Sequence, residues 1–318
     1  MHHMKRYLPL VAIAALCASF PLLAQEAKTF PAPSEIVAAA KVDEWVAIES
    51  SDLMIMDLAP DSKGKPRRVV IQLIPKPFSQ GWVGNIRKLA AAKFWDGTSI
   101  NRVQDNYVVQ WGDAAEKKAL PEGLRVMVAD DYLSQTINLI GRPAPRLRSE
   151  RTWQESLTFD AYAARTAFEN GWPVGVGKSA GMWPVHCYGM VGVGRNLSPD
   201  TGSGAELYTV IGHAPRHLDR NIALVGRVIE GIEHMSSLPR GNGALGFYEK
   251  EEERVPILSV RLGNEAKDVP AFEYLDTDSA SFAAYADARA NRRDPFFNVP
   301  AGGADICNIP VPIRRKAK

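Results

Sequence analysis

Alternating hydrophobic and polar positions in the first half of the chain predict short β-strands around one amphipathic helix. Residues 51–58 alternate loosely between apolar and polar side chains, and residues 68–74 form a β-branched run bounded by prolines. Further short strands are predicted at residues 100–103 and 107–111. Between these two pairs of strands, apolar side chains recur at helical spacing at Val83, Ile86, Leu89, Ala90 and Phe94. This order of elements predicts a mixed, β-rich domain.

The second half of the chain begins with a predicted helix and continues with strands. Thr152 and Glu155 have the spacing of a capping box, in which both side chains satisfy free backbone N–H groups. We expect the helix to run to residues 170–171, where glycine suits a left-handed C-cap. Strand-like runs follow at residues 188–193, 207–211 and 223–229, and a last helix is predicted at residues 279–290.

The start of the chain has the pattern of a secretory signal peptide. Lys5 and Arg6 precede an apolar run over residues 8–20, and the small residue Ala24 follows at a suitable cleavage position. The alternative is an uncleaved membrane anchor, but the apolar run is short for a span and Pro21 interrupts it. We therefore expect an exported, periplasmic protein that has no membrane attachment after cleavage.

Charge and cysteine content narrow the function classes. The 318 residues include 38 Lys and Arg against 36 Asp and Glu, and cleavage of the signal peptide would leave a net charge of zero. A chain without a basic field is poorly suited to bind nucleic acid.

Cys187 and Cys307 remain after cleavage, and an oxidising compartment permits a disulfide between them. Their separation of 120 positions leaves the pairing open.

A serine hydrolase motif is present, but its surroundings do not support it. Residues 177–181 fit the G-x-S-x-G nucleophile elbow, with Ser179 as the nucleophile. The elbow needs a strand before it and a helix after it. Residues 172–176 predict only a weak strand, and Gly181 and Pro184 disfavour a helix. Hydrolysis by Ser179 is therefore a remote alternative.

The sequence predicts no metal site among the histidines. His213 and His217 have the i, i+4 spacing of two ligands on one helix face, but Pro215 lies between them. No nearby carboxylate or third histidine completes a ligand set. We expect surface histidines and no bound metal.

Two ordered blocks of sequence carry a specific signature. In residues 67–113, an Arg-Val pair begins at Arg102. An aromatic residue follows, then Gln110, and the block ends with a Gly-Asp pair. In residues 186–240, a glycine loop precedes a strand, a Leu-Asp turn at Leu218 and a Gly-x-Val-x-x-Gly closure. Together the blocks resemble the cyclophilin family of peptidyl-prolyl cis-trans isomerases.

This resemblance implies a mainly β fold, namely a closed antiparallel β-barrel with capping helices and a partly helical insertion. It also divides the chain. The expected parts are a signal peptide (1–24), an N-terminal extension (25–66), the isomerase domain (67–240) with an insertion at about 114–185, and a C-terminal extension packed on or near the barrel (241–318).

The chemistry of prolyl isomerisation requires neither metal nor cofactor. The C–N bond resists rotation by about 18–20 kcal/mol because it has partial double-bond character. A donor to the proline nitrogen and an apolar pocket for the ring lower this barrier. The resemblance implies that Arg102 is the catalytic donor and that Gln110 positions it or the substrate backbone. The substrate-binding residues it implies are Tyr107, Val108, Gly194, Glu206, Tyr208, His217, Leu218 and Ile222.

Several of these positions depart from the family pattern and make the predicted pocket more polar. Glu206 stands where glutamine is common, and its carboxylate would either tether Arg102 or repel peptide carbonyls. His217 holds a position that is often aromatic, and Ile222 one that is often His or Tyr.

The expected function is isomerisation of X–Pro bonds in exported proteins, which assists their folding. The partners would be proline-containing polypeptides. The alternative is a catalytically weak binder or chaperone of such chains, motivated by Glu206 and the long additions. Client proteins and oligomeric state are left open.

Overall fold

Eight antiparallel strands close into a barrel in the computed structural model, which describes residues 30–134, 160–178 and 181–316. The predicted signal peptide lies outside the described residues. The strands are β1 (Trp45–Ile48), β2 (Leu53–Leu58), β3 (Arg67–Leu73), β4 (Ser99–Val103), β5 (Val108–Gly112), β6 (Arg165–Glu169), β7 (Trp172–Val176), β8 (Met182–Pro184), β9 (Met190–Val193), β10 (Leu207–Val210), β11 (Leu224–Glu230), β12 (Val255–Leu262), β13 (Phe272–Leu275) and β14 (Ile313–Arg315). The helices are α1 (Pro33–Ala38), α2 (Gln80–Ala91), α3 (Glu233–Ser236) and α4 (Ala280–Ala290).

The barrel takes strands from both sides of the predicted isomerase domain. Its closed order is β10-β5-β4-β12-β2-β3-β11-β9. Six of these strands lie within residues 67–240, whereas β2 and β12 come from the segments that we interpreted as extensions. Without them β3 and β4 would each present an unpaired edge, and an unpaired edge exposes backbone groups to other chains. The domain boundaries at 67 and 240 are therefore too narrow.

The outer face of β2 and β3 is also covered, which explains the loose alternation at residues 51–58. Met54 and Met56 pack in the main core, whereas Leu53 and Ile55 pack in a second apolar cluster on the other face. Phe272, on β13, belongs to that second cluster. A strand that is buried on both faces keeps few polar positions, so its period-two pattern is weak.

Helix α2 confirms the predicted amphipathic helix and holds the loop that leads to β10. Trp82, Ile86 and Leu89 on its apolar face are fully buried. The Trp82 indole N–H donates to the backbone oxygens of residues 201 and 202, and Asn85 Nδ2 donates to the Ser203 oxygen at 3.0 Å. The helix therefore positions the glycine loop as well as capping the barrel.

The helix predicted over residues 152–171 is wrong where it can be checked. Residues 152–159 lie outside the described residues, but residues 165–169 form strand β6, which pairs antiparallel with β7. Asn170 and Gly171 have φ angles of 48° and 79° and make the hairpin turn between the two strands. The left-handed glycine that suggested a helix C-cap thus serves a hairpin, because both structures need the same backbone conformation.

The surroundings of Ser179 are those of a hairpin and not of a nucleophile elbow. Ser179 itself lies outside the described residues. The Gly177 N–H donates to the Gly181 oxygen at 3.0 Å, and the flanking strands β7 and β8 pair antiparallel. A strand-turn-strand context does not supply the helix that the hydrolase motif requires.

A disulfide joins the C-terminal segment to the residues between β8 and β9, and its helix contributes side chains such as Phe282 to the main core. The predicted last helix is confirmed as α4, which begins after Ser279, whose hydroxyl accepts from the Phe282 N–H at 3.0 Å. Cys187 and Cys307 form a disulfide with their Cα atoms 5.1 Å apart. None of the helices in the described ranges is both long and apolar enough to cross a membrane.

A buried arginine marks the place where the barrel meets the two smaller sheets, β1-β13-β14 and β6-β7-β8. Arg227 on β11 donates through Nε to Gln72 Oε1 at 2.9 Å and through Nη1 to the Gly171 oxygen at 2.7 Å. Its guanidinium carbon lies 4.2 Å from the Trp172 ring centroid and 6.0 Å from that of Tyr274. Nη2 has no hydrogen-bond partner among the described residues, and burial lowers the pKa of Arg227 to about 9.

We predict that Arg227→Ala lowers the free energy of unfolding by about 2–4 kcal/mol, because it leaves a cavity and two unpaired acceptors at this junction. Arg227→Met should cost clearly less, since methionine fills the space and removes a buried charge that lacks a carboxylate partner. Urea unfolding of both variants measures the difference. Equal losses for the two variants would contradict this account of the junction.

Candidate active site

Arg102 and Gln110 face each other across neighbouring strands. The two residues are paired in the β4–β5 register, and Arg102 Nη1 donates to Gln110 Oε1 at 3.0 Å. Arg102 also donates through Nε to the Leu245 backbone oxygen at 2.7 Å and through Nη2 to Gln104 Oε1. Partial burial lowers the pKa of Arg102. Three hydrogen bonds thus hold the guanidinium in one orientation.

Two aromatic rings lie beside this guanidinium. Its carbon is 5.9 Å from the Tyr107 ring centroid and 5.4 Å from the Phe247 ring centroid. A cation over an aromatic face is attracted by the ring quadrupole, and this attraction grows when water is excluded. The rings therefore favour the same placement of Arg102 as the hydrogen bonds do.

An apolar pocket lies on the outside of the barrel next to Arg102. Val108 and Tyr208 are buried there, and Tyr107, Leu218 and Ile222 pack against them. Side chains alternate along each strand, so residues 108 and 110 of β5 and residues 208 and 210 of β10 share this outer face. The pocket and the Arg102–Gln110 pair are thus on one surface by strand periodicity.

A buried chain of polar side chains fixes the floor of the pocket. The Tyr208 hydroxyl donates to His186 Nε2 at 2.8 Å, and His186 Nδ1 donates to Asp219 Oδ1 at 2.9 Å. These roles follow because the Asp219 carboxylate only accepts. Arg216 Nε donates to Asp219 Oδ2 at 2.7 Å and its other nitrogens contact Asp160 in the insertion. Burial lowers the pKa of His186, so its ring is neutral at pH 7.

The role of His186 is not visible in the sequence. The local pattern at residues 186 and 187 is that of a strand end and indicates no chemistry. The one signal was Tyr208 itself, because a buried hydroxyl needs a hydrogen-bond partner that phenylalanine would not need. Gly192 leaves the space for that hydroxyl, since a Cβ there would overlap it.

Glu206 contacts Arg102 only through Gln110. Gln110 Nε2 donates to Glu206 Oε2 at 3.3 Å, and the Asn101 side chain also bonds this carboxyl. Gly112 makes room for it, because a Cβ at this position would overlap the carboxyl oxygens. Burial raises the pKa of Glu206 to about 7. The carboxyl therefore orients the Gln110 amide and does not tether Arg102 directly.

Most of the predicted substrate-binding residues line one groove of about 740 Å³. The residues brought together there are Arg102, Tyr107, Val108, Gln110, Gly194, Glu206, Tyr208, Leu218 and Ile222. His217 instead stacks on the Tyr107 ring, with centroids 6.3 Å apart and planes 10° from parallel. Leu245 and Phe247 also line the groove, and nothing in the local pattern of residues 241–247 pointed to them.

The groove is suited to a neutral peptide group beside an apolar ring. Arg102 offers a fixed donor, and an apolar cluster that includes Val108 and Leu218 lies next to it. Charged side chains line other parts of the groove. Within the described ranges, no group of three or more His, Cys, Asp or Glu side chains is placed to hold a metal ion. The fold and groove define a closed β-barrel protein with a candidate peptide-binding groove on its outer surface.

Comparison with known families agrees with this class. The model of the family "Cyclophilin type peptidyl-prolyl cis-trans isomerase/CLD" matches residues 62–262, which is more than half of the chain. The chain therefore belongs to the cyclophilin family of peptidyl-prolyl cis-trans isomerases. The matched range includes β12 but begins after β2, so it covers seven of the eight barrel strands. The predicted family, barrel fold and enzyme class are confirmed.

One solved cyclophilin structure shows the same fold at low sequence identity. The crystal structure of the cyclophilin AquaCyp293 from Hirschia baltica is 21% identical and covers 86% of this chain and 95% of that chain, with a TM-score of 0.57. A Cryptosporidium parvum cyclophilin type peptidyl-prolyl cis-trans isomerase, crystallised in the presence of the dipeptide Ala-Pro, is 9% identical. It covers 65% of this chain and 98% of its own, with a TM-score of 0.37. None of the curated proteins matches the sequence.

Glu206 provides a test of the site's electrostatics through protein stability. The unfolded chain holds this carboxyl near its ordinary pKa of 4.5, whereas the folded pKa is about 7. The folded state therefore binds the proton more tightly, and this group makes the fold less stable as pH rises from 4.5 through 7. We predict that Glu206→Gln stabilises the protein by about 2–3 kcal/mol at pH 8 and has little effect at pH 4.

Urea unfolding at both pH values measures this difference. Glu252→Gln, which removes one charge from an exposed side chain outside the groove, controls for the general effect of charge. A stabilisation by Glu206→Gln that is the same at pH 4 and pH 8 would show that the carboxyl titrates normally.

Proposed function

We propose that this protein isomerises X–Pro bonds in exported polypeptides and thereby assists their folding. The observation that carries the proposal is the Arg102 guanidinium, held by Gln110 at the edge of an apolar pocket. Prolyl isomerisation is slow without a catalyst and limits the folding of many chains. A fixed donor next to a ring pocket is what this reaction needs.

The geometry supports a simple mechanism. The proline ring enters the pocket of Val108, Tyr208, Leu218 and Ile222, which leaves the imide nitrogen beside Arg102. As the C–N bond twists, amide resonance is lost and the nitrogen gains a lone pair. A guanidinium carries five N–H groups, and hydrogen bonds to the described residues occupy three of them in Arg102. The other two can donate to the nitrogen of the twisted bond.

Preorganisation makes this donor effective. Arg102 is fixed before substrate binds, by partners on β5 and on the loop before β12. It therefore needs little rearrangement when the bond twists, and partial exclusion of water strengthens its hydrogen bonds. Gln110 is in turn oriented by Glu206, so the carboxyl acts on the reaction through two hydrogen bonds.

We predict that Arg102→Ala lowers kcat/KM on an Ala-Pro peptide by at least about 100-fold, the usual effect of removing one preorganised donor. Gln110→Ala should lower it by about 10-fold, because Arg102 keeps two of its three hydrogen bonds. Exchange between cis and trans isomers, followed by NMR, measures both rates directly.

The same assay separates the enzyme from the alternative. Unchanged exchange in Arg102→Ala would contradict the mechanism. A folded wild type without any exchange activity, but with suppression of client aggregation, would instead favour the binder or chaperone of proline-containing chains.

Two observations support export. The basic and apolar pattern of residues 1–24 is that of a cleavable signal peptide. The disulfide between Cys187 and Cys307 suits an oxidising compartment such as the periplasm. We therefore extend the proposal to folding assistance in that compartment.

Export has a direct test. Expression of the full chain in a Gram-negative host should give a periplasmic protein whose N-terminal sequence starts at Gln25 and whose two remaining cysteines resist alkylation until reduced. Retention of Met1 and free thiols in the cytosolic fraction would contradict export. A variant with Lys5 and Arg6 replaced by glutamate is the control, and it should be processed poorly.

A further inference from the structure

A glycine-rich loop from the C-terminal part of the chain forms one wall of the active groove. Its seven residues, 241–247, precede β12 and lie along β4. The Gly241 N–H donates to the Val103 oxygen at 3.0 Å, and the Tyr248 N–H donates to the Asn101 oxygen at 3.0 Å. Phe247 forms a β-bridge with Arg102. The loop is thus attached by backbone hydrogen bonds to the strand that carries the catalytic arginine.

The backbone of this loop is shaped at two positions. Leu245 has a left-handed conformation, with φ 57° and ψ 16°, which is rare for a bulky side chain because its Cβ approaches the backbone. Gly246 follows with φ 82°, and a Cβ there would lie 2.7 Å from the Cα of Gln104. Close packing on β4 therefore requires the glycine and turns the Leu245 carbonyl onto Arg102 Nε.

The same turn holds two large apolar side chains at the groove. Leu245 is 67% exposed and Phe247 is 38% exposed, and both line the groove. The backbone conformation of Leu245 is unfavourable for leucine, and the side chain gains little burial in the free protein. Such a conformation indicates a role at a functional site. Contiguous exposed apolar groups in a groove indicate binding of an apolar partner.

The position of Arg102 between two apolar regions indicates what this wall contacts. On one side, the Arg102 guanidinium contacts the ring of Tyr107, which borders the apolar pocket. On the other side, it contacts the Phe247 ring and donates to the Leu245 oxygen of the loop. In the proposed mechanism, the imide nitrogen of the substrate lies at Arg102. From that nitrogen the proline ring extends into the pocket, so the residue on the other side of the bond extends toward the loop.

We propose that Leu245 and Phe247 form an apolar subsite that binds the side chain of the residue preceding proline in a polypeptide substrate. The occupant is the substrate chain itself, because the subsite is continuous with the groove that holds the proline. The proposal rests on the isomerase function and adds a substrate class to it, namely X–Pro bonds in which X is a large apolar residue.

The test uses the whole protein and five peptides that differ only at the residue before proline, which is leucine, phenylalanine, alanine, serine or glutamate. NMR exchange gives kcat/KM for each peptide, and fluorescence anisotropy of labelled peptides gives Kd. For the wild type we expect kcat/KM about five- to tenfold higher for Leu-Pro than for Ser-Pro, as expected when part of a leucine side chain leaves water.

Leu245→Asn is the informative variant, because asparagine tolerates the left-handed backbone and keeps the carbonyl on Arg102. The Leu-Pro to Ser-Pro ratio should fall to about twofold or less in this variant. Leu258→Asn is the matched control, since Leu258 is also a largely exposed leucine, on β12, and does not line the groove. Its ratio should equal that of the wild type.

The outcomes separate this proposal from the proposed function. A wild type that turns over all five peptides equally, or a Leu245→Asn variant that keeps the full preference, overturns the subsite and leaves the isomerase intact. Absence of exchange with every peptide contradicts the isomerase function. The subsite is then decided by the Kd values alone, and equal Kd for Leu-Pro and Ser-Pro peptides overturns it.

Discussion

The closure of the barrel by β12 is the constraint on which the rest of this molecule depends. β12 pairs with β4 through Val255 and with β2 through Val260. Because this strand completes the β4 edge, the loop that precedes it must lie beside Arg102. Closure of the barrel thus also places this wall of the groove, and Arg102 has a partner more than 100 positions away in the chain.

Buried polar groups connect this barrel to the additions around it. Arg227 lies where the barrel meets the hairpin turn at Gly171 and the ring of Tyr274. A series of hydrogen bonds runs from Tyr208 through His186 and Asp219 to Arg216, which contacts the insertion. Buried polar groups are costly unless they are hydrogen-bonded, so each such connection favours one relative placement of its parts. The additions therefore support the pocket floor as well as extending the chain.

Much of the site was predictable because its central part is local. Arg102 and Gln110 lie on consecutive strands of one hairpin, so a short stretch of sequence contains the donor, its partner and the register between them. Val108 and Tyr107 belong to the same hairpin. Glu206 was recognised as a departure from the family pattern, but its path to Arg102 through Gln110 depends on the space that Gly112 leaves.

The remaining features were not predictable from local patterns, for two physical reasons. The helix expected at residues 165–171 is a hairpin, because a left-handed glycine serves either structure and only strand pairing with β7 decides between them. The loop around Leu245 carries no periodic signal. Its function depends on which strand the following β12 joins.

The sequence by itself determined the strand and helix periodicities of the barrel, the Arg102–Gln110 pair and the family to which the chain belongs. These properties rest on residues that are close together in the chain, so short-range patterns record them. Only the tertiary structure decided that β2 and β12 close the barrel, that His186 anchors Tyr208 and that Leu245 and Phe247 wall the groove. Those contacts join distant segments, and their geometry is set by strand order and packing.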